Sequence, residues 1–181
     1  MDYQAQQEIQ RDLDGSESLL WSGRPKQGVL LRRSDGYMIP FSLLWCGFAI
    51  FWEWSAATSG APPFFLLFGG VFVLVGLHFV FGRFISDARL RRNTLYGITN
   101  ERVIIRTGKK VKSLNLRTLS DISLNEGSTG EGTILLGPES PMGAWQGGFA
   151  WPGMPQGTPQ LEQIADAKAV FDILRKAQRE S

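Results

Sequence analysis

Residues 36–82 read GYMIPFSLLWCGFAIFWEWSAATSGAPPFFLLFGGVFVLVGLHFVFG, and Glu53 is the only formally charged side chain among them. The rest of the chain's 19 Lys and Arg and 17 Asp and Glu residues lie outside this stretch. A length of 181 residues and a net charge of +2 are ordinary for one water-soluble domain, but so uneven a distribution of charge is not. The distribution predicts a membrane hairpin joined to a domain in water.

Two helical spans are predicted within this stretch, at about 37–54 and 64–84. Each is close to the roughly 20 residues that a helix needs to cross the hydrocarbon core. Residues 55–63 between them read SAATSGAPP, and this Gly and Pro content ends one helix and begins the next. A soluble protein with two buried helices is the alternative, and the uncharged run is long for a core helix.

Basic side chains that flank the two spans predict their orientation. The N-terminal flank contains Arg24, Lys26, Arg32 and Arg33, the C-terminal flank contains Arg83, Arg89, Arg91 and Arg92, and the connecting loop contains none. The positive-inside rule then places both termini in the cytoplasm. We therefore expect a multi-pass protein of a bacterial cytoplasmic (inner) membrane. Residues 1–18 are polar and lack the apolar stretch of a signal peptide, and they predict a tail or a short helix.

The remaining chain predicts a first strand region at 19–35 and a β-domain at 85–181. Residues 85–93 extend the second span as a basic helix, and short strands separated by turns follow. They are predicted at about 94–99, 102–107, 111–116, 122–124 and 133–136, with one more upstream at 18–23. Short strands at this spacing favour a small antiparallel barrel or sandwich.

Residues 137–160 contain six Gly and five Pro, which predicts a long loop. Apolar residues then recur at helical spacing up to about Gln178, so the chain is expected to end in an amphipathic helix. Two starts for this helix stay open. Thr158 and Pro159 suit a cap and a first helical position, whereas Asp166 suits a cap if 161–164 forms a last strand.

Several segments resemble the membrane-anchored bacterial pleckstrin-homology-like (PH-like) proteins. They are LLWSGRP (19–25), YGITNERVIIRTG (96–108), SLNLRTLSDISL (113–124), EGTILLG (131–137) and IADAKAVFDILRKAQ (164–178). The resemblance covers about 19–137 and 158–178. It implies a strongly bent, seven-stranded antiparallel β-barrel capped by one C-terminal α-helix. With the hairpin, this makes an α+β membrane protein. The resemblance implies no known enzymatic activity and supplies no catalytic residues.

A basic stretch from Arg83 to Arg117 is the first candidate site. It contains ten Lys or Arg and two acids, and juxtamembrane basic clusters attract anionic lipid. The predicted lipid-headgroup residues are Arg83, Arg89, Arg91, Arg92, Lys109, Lys110 and Lys112. Topology determination and a solvated face are the competing explanations of these charges.

Aromatic side chains in the Gly and Pro-rich loop are the second candidate site. Trp145, Phe149 and Trp151 are predicted to contact a partner, with coverage of the end of the barrel as the alternative. The one His, His78, and the one Cys, Cys46, both lie in the apolar stretch. No catalytic residue, metal site or cofactor is therefore expected.

These patterns predict a non-enzymatic integral membrane protein whose cytosolic PH-like domain is a protein-interaction or scaffold module at the membrane face. The alternative is sensing of anionic lipid or another ligand through the basic stretch. The expected partners are membrane lipids and either a protein or a second copy of the chain. Nucleic acid is not expected, because the basic run adjoins a membrane span and no recognition motif is present.

Overall fold

A computed structural model describes residues 3–31, 35–127, 130–138 and 157–181. The chain divides into two compact units. The described part of the helical unit is 29–31 and 35–87, and that of the β-unit is 3–28, 88–127, 130–138 and 157–181. The helical unit is thus inserted into the β-unit between its first and second strands, and the architecture is α+β.

Two helices make up the described part of the helical unit. Helix α2 covers Asp35–Thr58, and a second helical stretch runs through α3 (Pro63–Leu77), a π-helical turn (His78–Gly82) and α4 (Arg83–Arg92). Helix α4 continues into the β-unit, as expected for the basic extension. The α2–α3 turn is short, and proline occupies the start of α3, where its missing N–H costs no hydrogen bond.

Small residues make the closest contact between α2 and α3, and the rings of Trp45 and Phe72 stack across it at 6.0 Å. Ser42, Cys46 and Ala49 are buried on α2, and Gly69 and Gly76 are buried on α3. A Cβ on Gly76 would lie 3.0 Å from Cys46 Cα, so the two backbones approach closely there. Large apolar side chains point away from the contact, among them Leu44, Phe48, Phe51, Phe64, Leu67 and Leu74. This is the reverse of a water-soluble helix pair and is typical of helices packed in lipid.

One helix in the described ranges, Pro63–Arg92, is long and apolar enough to cross a membrane, judged by length and composition alone. Only 11% of its most apolar window is buried. Helix α2 has 24 residues but carries Asp35, Pro40 and Glu53, which make it less apolar than α3. The prediction of an apolar spanning helix is thus supported for the second segment, and a spanning pair remains a proposal.

The β-unit contains seven strands in its described residues. They are β1 (Leu19–Gly23), β2 (Thr94–Thr99), β3 (Arg102–Thr107), β4 (Lys110–Asn115), β5 (Ile122–Glu126), β6 (Gly132–Leu136) and β7 (Gln160–Ile164). They form two antiparallel sheets, in the orders β1-β2-β3-β4 and β5-β6-β7. The expectation of one closed barrel is therefore wrong for the described strands. The chain leaves β4 through a 3₁₀ turn, Leu116–Thr118, so β5 starts a new sheet instead of pairing with β4.

One hydrophobic core joins both sheets to the C-terminal helix α5 (Ala167–Glu180). Its fully buried members include Ile98 and Val103 from the first sheet and Ile134 and Leu161 from the second. Helix α5 contributes Ala167, Val170, Leu174 and Ala177, whose spacing puts them on one face. Gln178 Nε2 donates to the carbonyl oxygens of Leu116 (3.3 Å) and Leu119 (2.7 Å), which fixes the end of the helix against the 3₁₀ turn.

The start of α5 is at Asp166, and β7 precedes it, which settles the two alternatives left open by the sequence. Asp166 caps the helix in the left-handed region, with φ of 50°, and makes no side-chain capping bond. The first N–H group of the helix instead has a backbone partner, because Ala167 N donates to Gly130 O at 3.1 Å.

Tyr96 links the two sheets from inside the core. Its hydroxyl accepts a hydrogen bond from Glu162 N at 3.2 Å, so a side chain of β2 holds the backbone of β7. Burial raises the pKa of Tyr96 to about 12, and the tyrosine is therefore neutral at physiological pH. The segment 96–108 of the family resemblance begins with this structural residue.

Candidate functional site

Arg83, the first residue of the predicted lipid-headgroup set, is buried within the helical unit. Its Nη1 lies 2.9 Å from Asp35 Oδ1, and the two side chains are 9% and 10% exposed. The guanidinium also lies 4.4 Å from the centre of the Phe84 ring. Because its charge is matched by Asp35, Arg83 joins the start of α2 to the start of α4. It is a structural residue in this arrangement.

Arg91, another member of that set, is 2% exposed. Its Nη2 donates to Gly28 O at 2.7 Å, and Gln27 Nε2 donates to Arg91 O at 3.4 Å. Residues 24–28 and 88–92 are the segments by which the chain leaves the β-unit and returns to it. Arg91 thus ties these two segments together, which a headgroup contact would not require.

The five other residues of the set are exposed, and we call them the basic cluster. They are Arg89, Arg92, Lys109, Lys110 and Lys112. None of the five side chains is in a hydrogen bond or ion pair with another residue for which the structure gives a position. Their charge is therefore available to an external anion.

The end of α4 and the β3–β4 turn bring the basic cluster together. Gly108 N donates to Asn93 O at 2.8 Å, which places the turn beside the residue that follows Arg92. The hydroxyls of Thr94 and Thr107 lie 3.2 Å apart and hold the first pair of the β2–β3 ladder. Gly108 adopts φ of 58°, so the tight turn that presents Lys109 needs its left-handed conformation.

Strand β4 carries the other two lysines of the cluster along an exposed sheet edge. It pairs with β3 alone, with Lys110 opposite Thr107 and Lys112 opposite Ile105. Every β4 residue except Leu114 is exposed. Lysines on such an edge also discourage pairing with a foreign strand, so this placement has a structural explanation as well.

Two more cations of the basic stretch are held by N-terminal acids. Arg102 pairs with Glu17 at 2.7 Å and with Asp14 at 2.9 Å, and Arg106 pairs with Asp12 at 2.9 Å. The hydrogen bond that Arg102 donates to the Glu17 carboxylate raises the pKa of Arg102 above its usual value. Sequence reasoning missed these pairs because they join residues about 90 positions apart, and no local pattern indicates them.

The turn between β2 and β3 is held by side-chain hydrogen bonds to the backbone. Thr99 Oγ1 accepts from the backbone N–H groups of Glu101 (3.1 Å) and Arg102 (2.9 Å). Asn100 Oδ1 accepts from Ser18 N at 2.9 Å and ties the turn to the start of β1.

The second candidate site, Trp145, Phe149 and Trp151, lies outside the described residues. The structure therefore leaves the predicted partner contact of this loop as a prediction. Strands β5 and β6 pair as antiparallel neighbours, and Gly127 N donates to Glu131 O at 2.8 Å where they are connected.

Polar groups between the helices of the helical unit are few. Glu53 packs beside Trp52 against Gly69, and its Oε2 is buried without a hydrogen-bond partner among the described residues. His78 packs on Gly82 within the π-helical turn, which the sequence did not indicate. Cys46 is buried and unpaired, as a packing residue would be.

An open depression of about 360 Å³ lies at the start of α5 and is lined by Glu126, Asp166 and Asp172, with Lys168 among them. No group of three or more His, Cys, Asp or Glu side chains is arranged to hold a metal ion in the ranges that the structure covers. The depression therefore gives no specific chemistry.

The chain matches no protein-family model, and no curated protein matches it. The function is therefore inferred from the fold, from which predicted headgroup cations are buried and which are exposed, and from the residues that carry the family resemblance.

Proposed function

We propose that this chain is a non-enzymatic integral membrane protein. A two-helix hairpin anchors it, and its PH-like domain is an interaction module at the cytoplasmic face of a bacterial inner membrane. The class of ligand that the geometry supports best is anionic lipid. The observation that carries this choice is the basic cluster, whose exposed side chains lie on the end of α4, on the β3–β4 turn beside it and on β4, without partners among the described residues.

Packing in the helical unit supports a hairpin with both helices in the membrane. Small residues lie between α2 and α3, and the large apolar side chains of both helices face outward. An outward apolar surface on both helices is stable in lipid and costly in water. The unevenly distributed Lys and Arg residues support cytoplasmic termini.

The arrangement of the β-unit supports the PH-like assignment. The resemblance implied seven strands and a closing helix, and the described residues contain sheets of four and three strands packed on α5. The absence of enzymatic activity is proposed from the sequence, since the one His and the one Cys lie in the apolar stretch.

Lipid contact follows from where the basic cluster occurs along the chain. Arg89 and Arg92 lie on the helical stretch that continues the apolar segment, and Lys109 and Lys110 are held beside its end by the Gly108–Asn93 bond. A cytoplasmic basic side chain near an anionic surface contributes about 1 kcal/mol. The cluster therefore stabilises a headgroup contact in membranes with anionic lipid and contributes little in neutral ones.

Replacing Arg92, Lys109, Lys110 and Lys112 together with Gln tests this contact. The full-length protein is placed in nanodiscs of phosphatidylcholine, with or without about 30% phosphatidylglycerol, and amide hydrogen exchange of the β3–β4 turn is measured. We expect anionic lipid to slow this exchange about fivefold or more in the original chain and less than about twofold in the variant.

A matched control replaces four exposed cations of α5, Lys168, Arg175, Lys176 and Arg179, with Gln. It removes the same charge and should keep the response to anionic lipid. Equal exchange in both kinds of nanodisc for the original chain would refute lipid contact, as would equal responses of the two variants.

A protein partner is the second candidate function. The observation that favours it is on the outer face of the first sheet, where a short helix from elsewhere in the chain is already bound. This face differs from the basic cluster in composition. It combines apolar residues with Arg102 and Arg106.

A further inference from the structure

The N-terminal segment covers the outer face of the first sheet. We call residues 3–14 the strap; they contain helix α1 (Tyr3–Gln10) and the turn that follows it. Ala5 and Ile9 are fully buried and form a small cluster with Leu95 of β2 and Ile104 of β3. Leu13 packs against the same cluster, so the apolar residues of the strap recur every four positions.

A notch in the sheet accommodates the strap. Gly97 lies in the middle of β2, and a Cβ added to it would come within 2.6 Å of Ile9 Cγ2. Glycine within a strand lowers its stability, and one common reason to find it there is the close approach of another segment. The sheet therefore has a shaped recess for an apolar side chain of a helix.

Charges frame this recess. Arg106 donates through Nη1 to Asp12 Oδ2 at 2.9 Å, and Arg102 donates through Nη2 to Asp14 Oδ2 at 2.9 Å. The face thus combines an apolar centre with two cations, and the strap combines an apolar stripe with acids. The recess therefore suits a short amphipathic helix with one apolar stripe and with acidic residues just after its C-terminal end.

The strap is held by its small apolar cluster, by two ion pairs and by long hydrogen bonds, among them Arg106 Nη1 to Glu8 O at 3.5 Å. An eight-residue helix is not stable alone in water, and the two ion pairs involve side chains that are 20–76% exposed. After the strap, the buried Glu17 side chain pairs with Arg102, and Ser18 N donates to Asn100 Oδ1. The chain is therefore held again from residue 17 onward. Gly15 and Ser16 between these parts are exposed. The segment that leads into β1 is therefore held by contacts of its own, separate from those of the strap.

We infer that the outer face of the first sheet is a docking groove for a short acidic amphipathic helix of another protein, and that the strap occupies this groove in cis. This inference names the partner class for the second candidate function and does not depend on lipid contact. The strap competes with the partner, because a segment of the same chain has a high effective concentration at the groove. Displacement of the strap uncovers the apolar surface of Leu95 and Ile104 and removes Asp14 from Arg102 and Asp12 from Arg106.

A labelled peptide of residues 1–14 is the probe, and the receptor is the protein in phosphatidylcholine nanodiscs. We expect the peptide to bind a chain that lacks residues 1–14 about tenfold or more tightly than it binds the full chain, because the cis competitor is gone. A scrambled peptide of the same composition should bind neither chain. In the shortened chain, Gly97→Val fills the recess without changing charge and should abolish binding.

A second receptor keeps the measurement informative if the shortened chain does not fold. It retains the whole chain and carries Ile9→Ser with Asp12→Asn, which loosen the strap, and its core amides should exchange as in the original protein. Failure of the peptide to bind either folded receptor would overturn the inference, as would equal binding of the scrambled peptide. Neither result alters the response to anionic lipid, so the two proposals fail separately.

Discussion

Replacing Arg83 with Ala is expected to lower the free energy of unfolding of the helical unit by about 3–5 kcal/mol. The change leaves the Asp35 carboxylate buried without the cation that lies 2.9 Å from it. Loss of this cation is costly because the surrounding protein solvates a buried carboxylate less well than water does. Reversible unfolding of the full-length protein in detergent micelles, followed by circular dichroism, measures the loss.

A paired replacement separates the ion pair from the packing around it. Arg83→Met combined with Asp35→Leu removes both charges and keeps apolar volume, and it should recover most of the lost stability. Arg89→Ala is the matched control, because Arg89 is exposed on the same helix, and it should change stability by less than about 0.5 kcal/mol. If Arg83→Ala were as stable as Arg89→Ala, the pair would have no role in holding α2 to α4.

Leu174→Ala is expected to destabilise the β-unit by about 2–5 kcal/mol. Leu174 is fully buried on α5 and lies in the core that joins both sheets. The substitution leaves a cavity at the contact between the helix and the strands. Hydrogen exchange of β2 and β3 amides in the full-length protein reports the loss for this unit alone.

Lys176→Ala supplies the comparison on the same helix. Lys176 is exposed and makes only a 4.0 Å contact with Glu180, so its replacement should leave β2 and β3 exchange within about 0.5 kcal/mol of the original. Equal protection in the Leu174 and Lys176 variants would show that α5 does not stabilise the sheets.

Local patterns predicted most of the helices and strands of this chain. The alternating and β-branched segments at 94–99 and 102–107 are strands at those positions, and the apolar stretch forms helices. These elements were predictable because their periodicity lies within a few residues. The closed barrel was wrong because pairing between β4 and β5 depends on the 3₁₀ turn at Leu116–Thr118, which has no clear sequence signature.

Burial of cations was not predictable from the sequence. All seven residues of the predicted headgroup set are basic and near the apolar stretch. Arg83 is nevertheless buried in an ion pair with Asp35, and Arg91 is buried and donates to the Gly28 carbonyl. The partners are 48 and 63 positions away, and such distances carry no local pattern. The strap was foreseen as a short helix or a tail, but its acids could not be assigned to Arg102 and Arg106 for the same reason.

Accessibility of single cysteines in intact cells tests the membrane hairpin most directly. In a Cys46→Ala background, Ser59→Cys lies in the α2–α3 turn and Lys176→Cys lies on α5. Once the outer membrane is opened, a membrane-impermeant maleimide should label Ser59→Cys while the inner membrane is still sealed. It should label Lys176→Cys only after the inner membrane is permeabilised. Labelling of both positions only after permeabilisation, with release of the protein by alkaline carbonate, would contradict a hairpin that crosses the membrane.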